Sequence, residues 1–238
     1  MANKTCFKTL REYLYGDTNS IFVIPNYQRG YKWSVRMKNK GELGLSSIQG
    51  LLDNLIDAYK RACKSGDYFL QGVTVSEFKN KGENKIILID GQQRTTSLYF
   101  ILWCLGQENI GAIQIQYDVR EGSQIFLKRL KEIRNGEDVR QCMSRVEDKL
   151  SDGRKYSDIV KNDESQDVHY FFEALSQINE RISAVDKVKF LQYILDHVSL
   201  LYEVVAKPLL STARAALPPD AHASHRPRLS LTTPFSNG

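Results

Sequence analysis

Between Ile86 and Phe100 the chain reads IILIDGQQRTTSLYF, an apolar run with strand character and an apolar run with helical character joined by five polar or small residues. Asp90 to Arg94 must therefore turn a strand directly into a helix. Gly91 permits a tight turn with an unusual φ, and a helix beginning at Gln92 starts with backbone N–H groups that have no intrahelical partner. Such a helix start carries partial positive charge and receives anions. Arg94 adds a guanidinium fork suited to phosphate oxygens. Gln92 and Gln93 are suited to orienting a base, a sugar hydroxyl or a water, and Asp90 to holding a divalent metal or capping the helix. Spacing alone leaves a plainer alternative open, because Asp-Gly is a common turn and Gln-Gln-Arg at a helix start is also a solvated surface. The stretch is neither a Walker A loop nor a G-x-G-x-x-G fingerprint.

A second Gln-Arg unit lies in IPNYQRGYKWS, Ile24 to Ser34. It follows a strand over Ile21–Ile24 that Pro25 ends, since proline removes a ladder donor and fixes its own φ. Tyr27, Tyr31 and Trp33 are interleaved with Gln28 and Arg29, a pattern that suits base stacking and cation–π contact as well as ordinary packing. Two such units, each after a strand, are placed to converge on one pocket.

Elsewhere periodicity predicts the elements. Phe7, Leu10 and Leu14 predict a short helix over Thr5–Tyr15, and the stripe from Ile48 to Cys63 predicts an amphipathic helix. Tyr68–Phe78 and Ile86–Ile89 read as an antiparallel hairpin, followed by a helix over Gln92–Leu105 and a strand over Ile113–Val119. After Gly122 the pattern is helical throughout: Ser123–Arg134, Asp167–Ile182, and Val188–Val205, with Leu191, Ile194, Leu195, Val198, Tyr202 and Val205 on one face. The expected class is α+β, with an α+β core over 1–120, a helical extension over 121–206, and a tail over 207–238. That tail holds five of the six prolines and no Ile, Val, Tyr or Trp. It reads as a disordered extension or as sequence foreign to the fold, such as a frameshift leaves.

A 42% hydrophobic content over 238 residues supports a packed core. The net charge of +5 is uneven: residues 207–238 hold four basic residues and one acidic, leaving about +2 for the rest. Bulk charge does not argue for nucleic acid and leaves only a local basic groove. Cys6, Cys63, Cys104 and Cys142 are scattered without C-x-x-C pairing, which argues for reduced, mostly buried thiols. The charged N-terminus and the lack of a long apolar run point to a cytoplasmic protein with no membrane contact. His169 and His197 fall in helical patterns, His222 and His225 in the tail, and none has an H-N-H context.

The pair IPNYQRGYKW and IDGQQRTTSLYFIL resembles the N-terminal domain of GmrSD-type restriction endonucleases, marked by an I-P-x-Y-Q-R-x-Y-x-W segment followed by D-G-Q-Q-R. FLQGVTV resembles the family's intervening Leu-Gly strand, with Gln71 inserted between Leu70 and Gly72. YDVREGSQIFLKRL and FLQYILDHVSLLYEVV resemble its later segments, so the likeness runs from about residue 7 to 205. The resemblance implies a ParB/sulfiredoxin-like core that binds and hydrolyses nucleoside triphosphate with Mg2+ or another divalent cation, in phage-defence systems acting on DNA with modified bases. It places catalytic roles on Asp90, Gln93 and Arg94, metal binding on Asp90, and nucleotide binding on Tyr27, Gln28, Arg29, Gly91, Gln92 and Thr95. It also implies an Asn-Arg-Gly-like segment and an HNH-type nuclease part or partner, whereas this chain enters the Pro-rich tail after Val205. Two other readings stand beside it: a non-catalytic DNA- or partner-binding module, and an inactive truncated remnant.

Overall fold

The computed structural model describes residues 3–17, 20–39, 42–80, 83–133 and 136–206. The Pro-rich stretch over 207–238, with the expectations attached to it, lies outside them. In chain order the elements are β1 (Lys4–Thr9), α1 (Leu10–Tyr15), β2 (Ser20–Ile24), β3 (Arg36–Asn39), β4 (Glu42–Ser46), α2 (Ser47–Ser65), β5 (Tyr68–Asn80), β6 (Glu83–Asp90), α3 (Gln92–Cys104), β7 (Gln114–Tyr117), α4 (Glu121–Leu130), α5 (Val139–Ser144), α6 (Tyr156–Asn162), α7 (Gln166–Ile182), α8 (Lys187–His197) and β8 (Val198–Val204). The class is α+β, as expected. β3, β4, α5 and α6 are additions to the elements that periodicity predicts.

Six strands form one mixed sheet in the order β1-β8-β5-β6-β2-β7, and β3 pairs with β4 separately. β5 and β6 make the expected antiparallel hairpin. β2 lies between β6 and β7, parallel to both, with Phe22 beside Ile86 and Ile24 beside Tyr117. Phe22, Ile24, Leu70, Val75, Leu88, Ile115 and Leu200 supply the sheet's share of the core. α3 is buried on every side from Gln92 to Cys104, which accounts for its lack of an amphipathic stripe. α7 packs on α2 and α3, and α8 on α1 and α2. Cys6, Cys104 and Cys142 are free thiols, and burial pushes that of Cys104 up to about 12.

Two helix predictions are corrected. The chain over 4–9 is a strand, and α1 begins only at Leu10, where Thr9 closes a capping box: its hydroxyl accepts from the Glu12 N–H at 3.2 Å, and the Glu12 carboxylate accepts from the Thr9 N–H at 2.8 Å. Removing that cap with Thr9→Ala is expected to cost about 1 kcal/mol, measurable by thermal or urea unfolding.

The second correction concerns Val198–Val204, predicted as the last part of a helix. α8 ends at His197, and the residues that follow form β8, antiparallel to β1 and parallel to β5. Val198, Leu200 and Tyr202 alternate with more exposed neighbours, a period of two that satisfies a half-buried strand as well as the helical count. The backbone partners on both sides decide between them. The described residues up to 206 form one compact unit. No helix among the described residues is long and apolar enough to cross a membrane.

Candidate functional site

Gly91 adopts φ +92° and precedes α3 as its N-cap. A side chain there would bring its Cβ within 2.5 Å of Val73 Cγ1, so both conformation and space require glycine. No side chain caps the helix, which removes capping from the roles open to Asp90.

The two glutamines that follow are turned inward and are only 6% exposed each. Gln92 donates to Gln28 Oε1 at 3.2 Å and to the Arg29 carbonyl at 2.9 Å. Gln93 donates to the Gly30 carbonyl at 3.0 Å and accepts from the Lys32 N–H at 2.8 Å. A primary amide carries a donor and an acceptor on one planar group, so Gln93 serves residues 30–32 as a neighbouring strand would. Gln28 returns the contact by donating to the Ile89 carbonyl at 2.9 Å. The two Gln-Arg units therefore meet, joined through their glutamines, and the segment after β2 is laid as an arm across the start of α3.

Arg94 is 9% exposed. It donates to the Gly72 carbonyl at 2.6 Å and to Gln71 Oε1 at 2.8 Å, with its guanidinium carbon 5.8 Å from the Trp33 ring centre. The β5–β8 register shifts between Leu70 and Val73, at the inserted Gln71, and this irregularity turns the Gly72 carbonyl toward Arg94. Burial lowers the Arg94 pKa and the charge of Asp90 opposes that shift. Thr95 is buried, its hydroxyl donating to the Gly91 carbonyl at 3.0 Å and lying 2.8 Å from Tyr13 Oη.

The predicted residues thus separate into two groups. Gly91, Gln92, Gln93, Arg94 and Thr95 are buried and, with the half-buried Gln28, engaged with the protein itself, while Tyr27, Arg29 and Asp90 are exposed, Tyr27 at 64%. Asp90, Thr74 and Glu203 lie side by side across β6, β5 and β8, and the Thr74 hydroxyl donates to Glu203 at 3.1 Å. Glu203 joins this row only because Val198–Val204 is a strand and not the helix expected there. His169 and His197 are exposed, and each pairs with an aspartate, Asp163 and Asp67 respectively.

Behind the arm sits a further charge that the sequence did not flag. Asp167, in the first turn of α7, is completely buried. Its Oδ2 accepts from Arg120 at 2.6 Å and from the hydroxyls of Tyr117 and Ser123 at 3.3 Å each. Tyr117 Oη in turn accepts from the Tyr31 N–H at 3.0 Å. Burial and the neighbouring Asp167 charge raise the Tyr117 pKa.

No curated protein matches the chain. The family profile of the GmrSD restriction endonuclease N-terminal domain matches residues 10–206, spanning both Gln-Arg units and every strand from β2 to β8. The chain therefore belongs to the GmrSD restriction endonuclease N-terminal domain family and is a component of a restriction, phage-defence type of system.

Proposed function

We propose that the chain is the nucleotide-binding, NTP-hydrolysing regulatory domain of a modification-dependent restriction system, with its ligand at the junction of the arm and α3. The observation that carries this reading is Arg94, a guanidinium held by two hydrogen bonds beside Trp33, at a junction where Arg29 and Asp90 are exposed. Phosphoryl transfer needs mainly positioning and stabilisation of charge on phosphate oxygens, and Arg94 and Arg29 supply that charge. Tyr27 offers an exposed ring face for a base. Gln92, Gln93 and Thr95 act by placement, since their polar groups are engaged with the arm and the core.

The described residues hold no group of three or more His, Cys, Asp or Glu suited to a metal. A lone carboxylate nevertheless fits magnesium, which keeps most of its waters and binds through one or two carboxylates plus substrate phosphates. Asp90 would hold it, and when bound it neutralises phosphate charge. DNA cleavage falls to a separate HNH-type nuclease part or partner, with modified DNA as the system's target.

Titrating the purified chain with each NTP and Mg2+ tests this. Binding and turnover are expected in the wild type and reduced turnover in Asp90→Ala. The reading fails if the wild type neither binds nor hydrolyses any NTP and Arg94→Ala behaves identically. A second reading draws on the burial of both glutamines: the motif is a scaffold for a non-catalytic DNA-binding surface. A salt-sensitive DNA affinity that ignores nucleotide and survives Asp90→Ala would favour it.

A further inference from the structure

The arm over residues 28–32 is held on two sides. On one, Gln92 and Gln93 bond to Arg29, Gly30 and Lys32. On the other, the Tyr31 N–H leads through the Tyr117 hydroxyl to the Asp167 carboxylate, and Gly30 is pressed on the Asp167–Arg120 pair so closely that a Cβ would fall 2.1 Å from Asp167 Oδ1 and 2.5 Å from Arg120 Nη1. Asp167 Oδ1 has no hydrogen-bond partner and is buried. Arg120 reaches the pair from a cleft of about 460 Å³ that it lines with Arg154, Ser165 and Gln166, and its side chain is 43% exposed.

We infer that Asp167 and Arg120 are positioning residues that set the location of the arm, and through it the placement of Gln28 and Arg29 at the ligand site. A fully buried carboxylate is costly unless paired and hydrogen-bonded, so Arg120 must stay on Asp167 Oδ2 for Oδ1 to remain beneath Gly30. When Arg120 leaves, the uncompensated charge draws water or another donor to the floor of the arm, and Gly30 and Tyr31 are the atoms that must lift to admit it. The arm's position is in this way controlled from α4 and α7, at residues with no place in either sequence motif. The functional consequence rests on the nucleotide reading given above; the positional one does not.

Fluorescence of the full-length chain separates the two. It holds two tryptophans: Trp103 is buried, with its indole N–H on the Leu130 carbonyl at 2.9 Å, whereas Trp33 is half-buried and directly follows the arm. Acrylamide quenching therefore reports on Trp33. Asp167→Asn and Arg120→Gln are expected to raise the quenching constant, with Tyr117→Phe, which keeps the ring and cuts the link to Tyr31, raising it less. Arg120→Lys, which keeps a cation on Asp167, is expected to return it toward wild type. If nucleotide binds, the same two variants weaken its affinity about tenfold. Variants that keep a cooperative melt and wild-type quenching overturn the inference, and Tyr117→Phe supplies that comparison should the charge variants fail to fold. Absence of nucleotide binding in the wild type overturns the functional reading and leaves the quenching result to stand.

Discussion

Gly30→Ala is expected to destabilise the protein by about 1–3 kcal/mol, the cost of forcing an extra methyl into a packed site, and to lower its melting temperature by roughly 3–10 °C. The added methyl lands 2.1 Å from Asp167 Oδ1, and Asp167 cannot withdraw because Tyr117, Ser123 and Arg120 hold its other oxygen. The arm must move instead, and with it go the Gln93 bonds to Gly30 and Lys32. Gly50→Ala is the matched control. It lies in α2 with nothing within 4 Å of the new Cβ, so it is expected to stabilise by about 0.5–1 kcal/mol. Differential scanning calorimetry on both variants reads the contrast, and a Gly30→Ala melt within a degree or two of wild type would refute the packing argument.

Arg94→Ala is expected to reduce NTP turnover by about 10²–10³-fold, as for loss of one preorganised donor at developing charge. Arg94→Lys should recover little, because an ammonium offers no planar fork to span the Gly72 carbonyl and Gln71 together. A stability loss of about 1–3 kcal/mol accompanies the alanine change through the unpaired Gly72 carbonyl. Turnover is therefore to be compared well below the variant's melting range. Equal turnover in wild type and Arg94→Ala would remove Arg94 from the chemistry and leave it as the tie between α3 and β5.

What could be read from the residues divides by the range of the interaction. The strand–glycine–helix junction at Asp90–Gln92 is local: Gly91 takes the left-handed backbone that its turn requires, and β2 stops before Pro25 as proline's chemistry demands. The joining of the two Gln-Arg units was also legible as a pattern. What they would do there was not. Gln92 and Gln93 look like ligand-facing groups in a list of residue types, and only the geometry shows that they complete the arm's backbone hydrogen bonding. Val198–Val204 carries both a period of two and a period near 3.6, so the outcome depended on β1 and β5, more than a hundred residues away in sequence. Thr5–Thr9 failed for the same reason, because its strand exists through β8. Asp167 and Arg120 lay beyond local reading altogether: each is an ordinary charged residue near a helix start, and their pairing is a property of how α4 and α7 pack against the arm.

The place of β8 has a kinetic meaning. β8, the last strand among the described residues, fills the slot between β1 and β5, so as the polypeptide leaves the ribosome β1 lacks this ladder partner and β5 has one open edge until Val204 has emerged. Closure across such sequence separation is slow and leaves strand edges open to other chains meanwhile. Maturation of the arginine-bearing junction is thereby tied to the arrival of β8, since the Gln71–Gly72 irregularity that receives Arg94 is itself formed against that strand.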